Sequence, residues 1–200
     1  NAVDCVTQWQ VVATVQTISE AHLLPVIEQM LEQFPFEILG FHADNGSEYV
    51  NHRVARMLDK LKVEFTRSRP RHSNDNGLAE TKNGAVVRKI FGYEHIPRRH
   101  AARFDTFCRE YLNPFLNFHR PCLFATELAD PKKPGRIKRV YRPRDAMTPL
   151  DKLASLPGAA GFMRPGVTLT DLQQLATALT DVRAAEELNE ARQALFRRVP

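Results

Sequence analysis

Gly40-Phe41-His42-Ala43-Asp44-Asn45-Gly46-Ser47-Glu48-Tyr49 is the stretch on which the reading of this chain turns. The run from Phe36 to His42 is apolar and short enough for a buried strand, and Asp44-Asn45-Gly46-Ser47 is a turn signal directly behind it. Downstream, Asn51 is placed to cap a helix holding Val54, Met57, Leu58 and Leu61, and Val63 to Thr66 reads as a short strand. Arg67 to Asn76 is a polar loop with Pro70 and three arginines. A long helix is predicted from about Gly77 to Phe91, and another from about His100 to Phe118. Upstream, residues 1–17 read as two short strands, the second over Trp9 to Val15. Ser19 then opens a helical pattern of Leu23, Leu24, Val26, Ile27, Met30, Leu31 and Phe34, with Pro25 implying a late start or a kink. The order β-β-α-β-α-β-α-α predicts an α/β fold, a mixed sheet flanked by helices.

Composition agrees with a globular domain. The 200 residues are 43% apolar and 26% charged, and 9 glycines with 13 prolines exclude collagen-like and low-complexity classes. No apolar run approaches the length of a membrane-spanning helix. The opening residues Asn1-Ala2-Val3-Asp4 lack the pattern of a signal peptide, and the absence of an initiator Met suggests a fragment of a longer protein. Cys5, Cys108 and Cys122 are odd in number and widely spaced, which fits neither a disulfide framework nor a zinc motif and suggests a cytoplasmic setting. His42, His72 and His119 are too scattered for a zinc site, and Trp9 reads as core.

The net charge of +5 is unevenly spread. Lys132, Lys133, Arg136, Lys138, Arg139, Arg142 and Arg144 follow one another with no acidic residue between, so the rest of the chain is slightly negative. Such a strap attracts a phosphate backbone, and is equally what a solvated connector looks like. Pro121, Pro131, Pro134, Pro143 and Pro149 punctuate the same region. Residues 121–166 therefore read as a basic, proline-rich linker with one short helix near Met147 to Leu156, and residues 167–200 as a single C-terminal helix over Thr170 to Val199. Residues 1–120 form the main domain.

Two carboxylates stand out. Asp44 follows a buried strand, Glu80 lies in the first turn of the long helix, and 35 residues separate them. Oxygen ligands on two rigid elements can converge on Mg²⁺ or Mn²⁺. Each residue also has an ordinary role, Asp-Asn-Gly as a tight turn and Glu80 as a complement to the helix dipole.

Taken together with their neighbours, these residues resemble a known family. Gly40 to Tyr49 is similar to the second-aspartate motif of retroviral-integrase-like (DDE) transposases of insertion sequences, and His72-Ser73-Asn74-Asp75-Asn76-Gly77-Leu78-Ala79-Glu80-Thr81-Lys82-Asn83 to the glutamate motif. The 35-residue interval is that family's own, and Asn1 to Trp9 resembles its second strand and the following turn. The resemblance covers roughly residues 1–120. It implies a ribonuclease H-like fold and a transposase or integrase core that cuts DNA and joins strands with two Mg²⁺ or Mn²⁺ ions. Asp44 and Glu80 would be catalytic and metal-binding. The family's first aspartate would lie before residue 1, which leaves the triad of this chain incomplete, with Asp4 as the alternative occupant of that role.

The resemblance also implies DNA contacts. Arg67, Arg69 and Arg71 would touch phosphate. Asn83 and Gly84, three and four residues beyond Glu80, would share its helix face, and Arg88 would continue it. Gly84 is costly within a helix and hints at a close approach. Arg136, Lys138 and Arg139 of the strap would bind DNA. The partners implied are transposon ends and target DNA in a homo-oligomer, with no membrane. A ribonuclease H-like nuclease without strand transfer and a non-enzymatic DNA-binding or assembly fragment are the competing readings.

Overall fold

The computed structural model describes residues 1–43, 52–60, 63–67, 77–129 and 135–197. The chain is mixed α/β. Among the described residues its strands form three separate two-stranded ladders instead of the single mixed sheet expected. β1 (Ala2–Val3) pairs antiparallel with β2 (Gln10–Val11). After α1 (Glu20–Glu32), β3 (Gly40–Ala43) pairs parallel with β4 (Glu64–Arg67) across the intervening α2 (His52–Lys60). The third ladder lies in the segment read as an irregular linker: β5 (Cys122–Ala129) and β6 (Ile137–Met147) form an antiparallel ribbon.

The long helix is continuous but not uniform. α3 (Gly77–Lys82) passes into a π turn (Asn83–Val87) and then α4 (Arg88–Phe91), ending where Gly92 takes φ 77°. A 3-10 turn (Arg98–His100) leads into α5 (Ala101–Phe107), which continues through π turns at Cys108–Leu112 and Phe115–His119. α6 (Pro149–Ala154) and α7 (Leu169–Thr177) each open on a capping box, Thr148 with Asp151 and Thr168 with Asp171. The expected single C-terminal helix is two, α7 and α8 (Asp181–Phe196). The reason is local: the Thr180 hydroxyl accepts the Arg183 N–H, so Thr180 starts a new helix instead of continuing the old one.

Among the described residues, three buried clusters hold the fold. Pro25 sits inside α1 without delaying its start, and Leu23, Ile27 and Leu31 of that helix meet Val54, Met57 and Leu58 of α2. Trp9, Met30, Phe34 and Phe36 pack with Leu150, Leu153 and Leu172, and Trp9 meets Phe36 and Phe118 edge to face. Val12, Val86, Phe104, Phe107 and Leu112 pack with Leu188 and Leu195 of α8. Residues beyond 120 thus complete the second and third of these cores, while the first is built wholly from residues before it.

The second predicted strand shrinks to Gln10–Val11 because the backbone beyond it pairs with a helix. The Gln10 N–H donates to Asn117 Oδ1 at 2.8 Å, and Asn117 Nδ2 donates back to the Gln10 carbonyl at 2.8 Å. Val12 makes the same exchange with Asn113, at 2.9 and 3.0 Å. The Thr14 N–H donates to Asp105 Oδ1 at 3.2 Å. Alternate residues of an extended segment are therefore satisfied by side chains one helical turn apart.

Replacing Asn117 by Leu would strand the buried N–H and C=O of Gln10. The expected loss is about 2–6 kcal/mol in urea unfolding, at ~1–3 kcal/mol for each of the two unsatisfied groups. The thiols provide a second check. Cys108 is fully buried, and burial together with nearby Asp105 pushes its thiol up to about 12, whereas Cys5 is exposed and Cys122 buried. A maleimide should label Cys5 alone in the folded protein and all three cysteines after denaturation.

Candidate nucleic-acid site

β3 and β4 run parallel, so both carboxyl ends emerge on one side, with Ala43 opposite Arg67 in the register. Ala43 is buried, and His42 Nδ1 lies 2.9 Å from Thr66 Oγ1 in the neighbouring register pair. Asp44 is the next residue in the sequence and lies outside the described residues, as do Arg69, Arg71 and His72. Arg67 ends β4.

Glu80 stands in α3, exposed, and its carboxylate has no hydrogen-bond or ion-pair partner among the described residues. The helix is anchored around it: Asn1 Nδ2 donates to the Ala79 carbonyl at 3.3 Å, and the Thr81 hydroxyl donates to the Gly77 carbonyl at 2.7 Å. At its far end, Arg192 Nε of α8 donates to the Ile90 carbonyl at 2.7 Å. Among the described residues, no group of three or more His, Cys, Asp or Glu is placed to hold a metal ion. An exposed carboxylate on an anchored helix is still the kind of oxygen donor that Mg²⁺ takes, usually from one or two carboxylates.

The π turn changes which residues share Glu80's face. Its i→i+5 bonds accommodate about one residue more than an α turn, while two α turns span about 7.2 residues. Arg88, eight positions on, therefore comes round nearly into line with Glu80. Arg88 is exposed, with its guanidinium 5.7 Å from the Tyr93 ring centroid, and Asn83 is exposed at the start of the π turn. The close approach expected at Gly84 is not found within the chain: a Cβ there would meet nothing within 4 Å.

Other expectations change more. Lys82, two residues beyond Glu80, is buried, and its Nζ lies 3.0 Å from Cys122 Sγ at the root of the ribbon. Asp4 is a turn former: its Oδ2 accepts from the Val6 and Thr7 N–H groups and from the Thr7 hydroxyl, at 3.2, 2.6 and 2.6 Å. His119 is buried and paired with Asp181 at 3.0 Å. Arg136 and Lys138 are exposed on the ribbon side of the molecule, while Arg139 Nε is paired with Glu127 Oε1 at 3.2 Å on the facing strand. The sequence reading does not single out Asn113 and Asn117. Two amides four residues apart on an otherwise apolar helix face are the available signal.

The family model described as "Integrase core domain" matches residues 1–73. Over those residues the chain bears out its resemblance to the retroviral-integrase-like core of DDE transposases. A protein of Sinorhizobium fredii (strain NBRC 101917 / NGR234), described as "Uncharacterized protein y4rM", is 36% identical over 90 residues, 45% of this chain. The chain spans about a quarter of that relative, the matched part being 26% of its length. No solved structure matches the chain significantly.

Gly84→Ala tests the open environment of that glycine. With no clash to meet, alanine should raise stability by about 0.5–1 kcal/mol in denaturant unfolding, the usual difference between the two residues within a helix.

Proposed function

We propose that the chain is the core of a DNA transposase or integrase with a ribonuclease H-like fold, carrying out metal-dependent DNA cleavage and strand transfer. The observation that carries this reading is the integrase-core match over residues 1–73, which includes the β3–α2–β4 unit and Asp44 directly after β3 in the sequence. Glu80 follows at the 35-residue interval on an anchored helix, exposed and unpartnered among the described residues.

Asp44 and Glu80 would hold Mg²⁺ or Mn²⁺. When bound, a pair of such ions supplies Lewis-acid activation of the attacking oxygen and charge neutralisation at the scissile phosphate. The protein's own contribution is positional. Asp44, the residue that follows β3 in the sequence, would be supplied from the carboxyl end of the parallel pair, and Glu80 from α3, whose Ala79 carbonyl accepts from Asn1. Asn83 and Arg88 lie along the same helix, where they would contact the DNA backbone and fix its register without reading sequence. Arg67, Arg69 and Arg71 would add phosphate contacts beside Asp44. In the domain organisation proposed here, residues 1–120 are the catalytic core, residues 121–166 carry the basic DNA-contacting segment, and residues 167–200 brace the core. Transposon ends and target DNA as partners, a homo-oligomeric assembly and a cytoplasmic site of action belong to the same proposal. Among the described residues, no helix is long and apolar enough to cross a membrane.

A non-catalytic DNA-binding role is the second reading, favoured by the engagement of Asp4 in its own turn, which removes it as a natural third ligand. Asp44→Asn and Glu80→Gln separate the two. Under the catalytic reading each variant should lower Mn²⁺-dependent strand transfer by more than the ~10–100-fold that loss of an outer-sphere metal partner costs, with DNA affinity retained. Cleavage without joining, abolished by the same variants, would identify a nuclease. A chain supplied with an added upstream strand carrying the family's first aspartate, and showing full DNA affinity but still no metal-dependent activity, would identify the binding role.

A further inference from the structure

The basic strap is not a flexible tether. Between Ala125–Ala129 and Ile137–Tyr141 it is a regular antiparallel ladder, with Ala125 opposite Tyr141 and Ala129 opposite Ile137. The ribbon is fixed at its root. Cys122 is buried against Lys82, and the Leu123 carbonyl accepts from Gln8 Nε2 at 2.8 Å. Further out, Glu127, Leu128 and Ala129 of β5 and Ile137, Lys138, Arg139 and Tyr141 of β6 are exposed, and Thr126 and Val140 between them are half-buried. A two-stranded ribbon this exposed is marginal by itself, so this one calls for a partner.

We infer that the β5–β6 ribbon is an arm that enters the major groove of duplex DNA, an inference that rests on the DNA-acting reading above and goes beyond it in assigning the groove and the contacting element. The charge pattern decides the occupant. Arg139 and Lys138 are consecutive on a strand, so they project from opposite faces of the ribbon. Arg142 and Arg144 extend the positive charge toward the root. By the same alternation Lys138, Arg142 and Arg144 share one face, and Arg139 with its partner Glu127 lies on the other. The opposing carboxylates are few: Glu127 pairs with Arg139, Asp145 accepts from the Thr126 hydroxyl at 2.9 Å, and Arg144 lies 3.9 Å from Asp145. A second copy of the ribbon laid against the first would set these cations against one another, which disfavours self-association through this face.

The dimensions agree. The major groove of B-form DNA is about 12 Å wide and about 8.5 Å deep and admits a two-stranded ribbon. Two strands lie about 4.8 Å apart, and the five paired positions extend about 17 Å. Ile137 at the outer end of the ladder and Tyr141 at its inner end are both exposed, as apolar groups that meet base edges and thymine methyls must be. The major groove of duplex RNA is too deep and narrow for such entry, so the arm should prefer DNA.

The test uses the full chain with a fluorescent random-sequence DNA duplex, read by anisotropy over a series of salt concentrations. Lys138→Gln/Arg142→Gln/Arg144→Gln should weaken binding and make the log–log salt slope shallower by about 2–3, near 0.9 for each phosphate left without its cation. An unchanged far-UV spectrum checks folding. Methyl green, which occupies the major groove, should compete with the parent protein, and netropsin, which occupies the minor groove, should not. Ile137→Ser/Tyr141→Ser keeps every charge, and should lower affinity while leaving the salt slope unchanged. A triple variant with the parent's affinity and slope overturns the inference, as does displacement by netropsin alone. Loss of a concentration-dependent dimer in Ile137→Ser/Tyr141→Ser, with DNA binding intact, also overturns it, in favour of a protein partner. The two readings fail separately. If Glu80→Gln abolishes strand transfer while the triple variant binds normally, the catalytic reading stands and the arm does not. If the parent binds no duplex at low salt, both fall.

Discussion

The fold depends on two asparagines that take the place of a neighbouring strand. Asn113 and Asn117 lie one helical turn apart and offer their amides to Val12 and Gln10, each amide both accepting an N–H and donating to a carbonyl. A primary amide reproduces the donor–acceptor pair of a peptide group, so a helix can close a strand's edge if its side chains keep the strand's spacing. Asn117 Nδ2 also donates to the Asn113 carbonyl, and Asn113 Nδ2 reaches Gln33 Oε1 at 2.8 Å beyond the end of α1. One polar seam therefore fixes the extended segment, the helix across it and α1. The apolar clusters on either side, around Trp9 and around Phe104, are aligned by that seam.

Most helices are legible because their apolar residues recur with the helical period. The Glu80 helix is expected from Gly77 to Phe91 and is found with those limits, and Leu23, Ile27, Val54 and Leu58 are buried as their spacing indicates. The departures share a cause: a local signal is answered by a distant group. Trp9 to Val15 is extended as its β-branched residues suggest, but no propensity scale shows that its partner is a helix. Thr180 sits within a long helical pattern, although a threonine ahead of Asp181 is also a good cap. The ribbon is hidden by its prolines and charges. Pro143 stands in β6 close to the register shift opposite Leu123 and Ala125, where a missing N–H interrupts no regular pairing.

The candidate site is legible in one dimension and less so in three. The interval between Asp44 and Glu80 is a property of the sequence, and the integrase-core match covers the first of them. The surroundings of Glu80 require the structure. A plain helix would carry Arg88 past the glutamate, and the π turn brings it back. Lys82 follows its helical angle into the interior, where its ammonium meets a thiol instead of solvent. Asp4 shows why an acidic residue near the right strand is a poor guide: its carboxylate is already engaged in holding a turn.

The placement of α8 has a consequence for how the protein is made. Leu188 and Leu195 close the cluster that also contains Val12, Val86 and Phe104, so residues nearly the full chain apart share one core. During synthesis the N-terminal strands and the Glu80 helix emerge first, and their apolar sides remain open until residue 195 has left the ribosome. Contacts of such long sequence separation slow folding, because loop closure precedes any gain from burial. The nascent chain therefore exposes Val86, Phe104 and Leu112 throughout translation, and stopping synthesis before α8 would yield a chain prone to aggregate and reliant on chaperones.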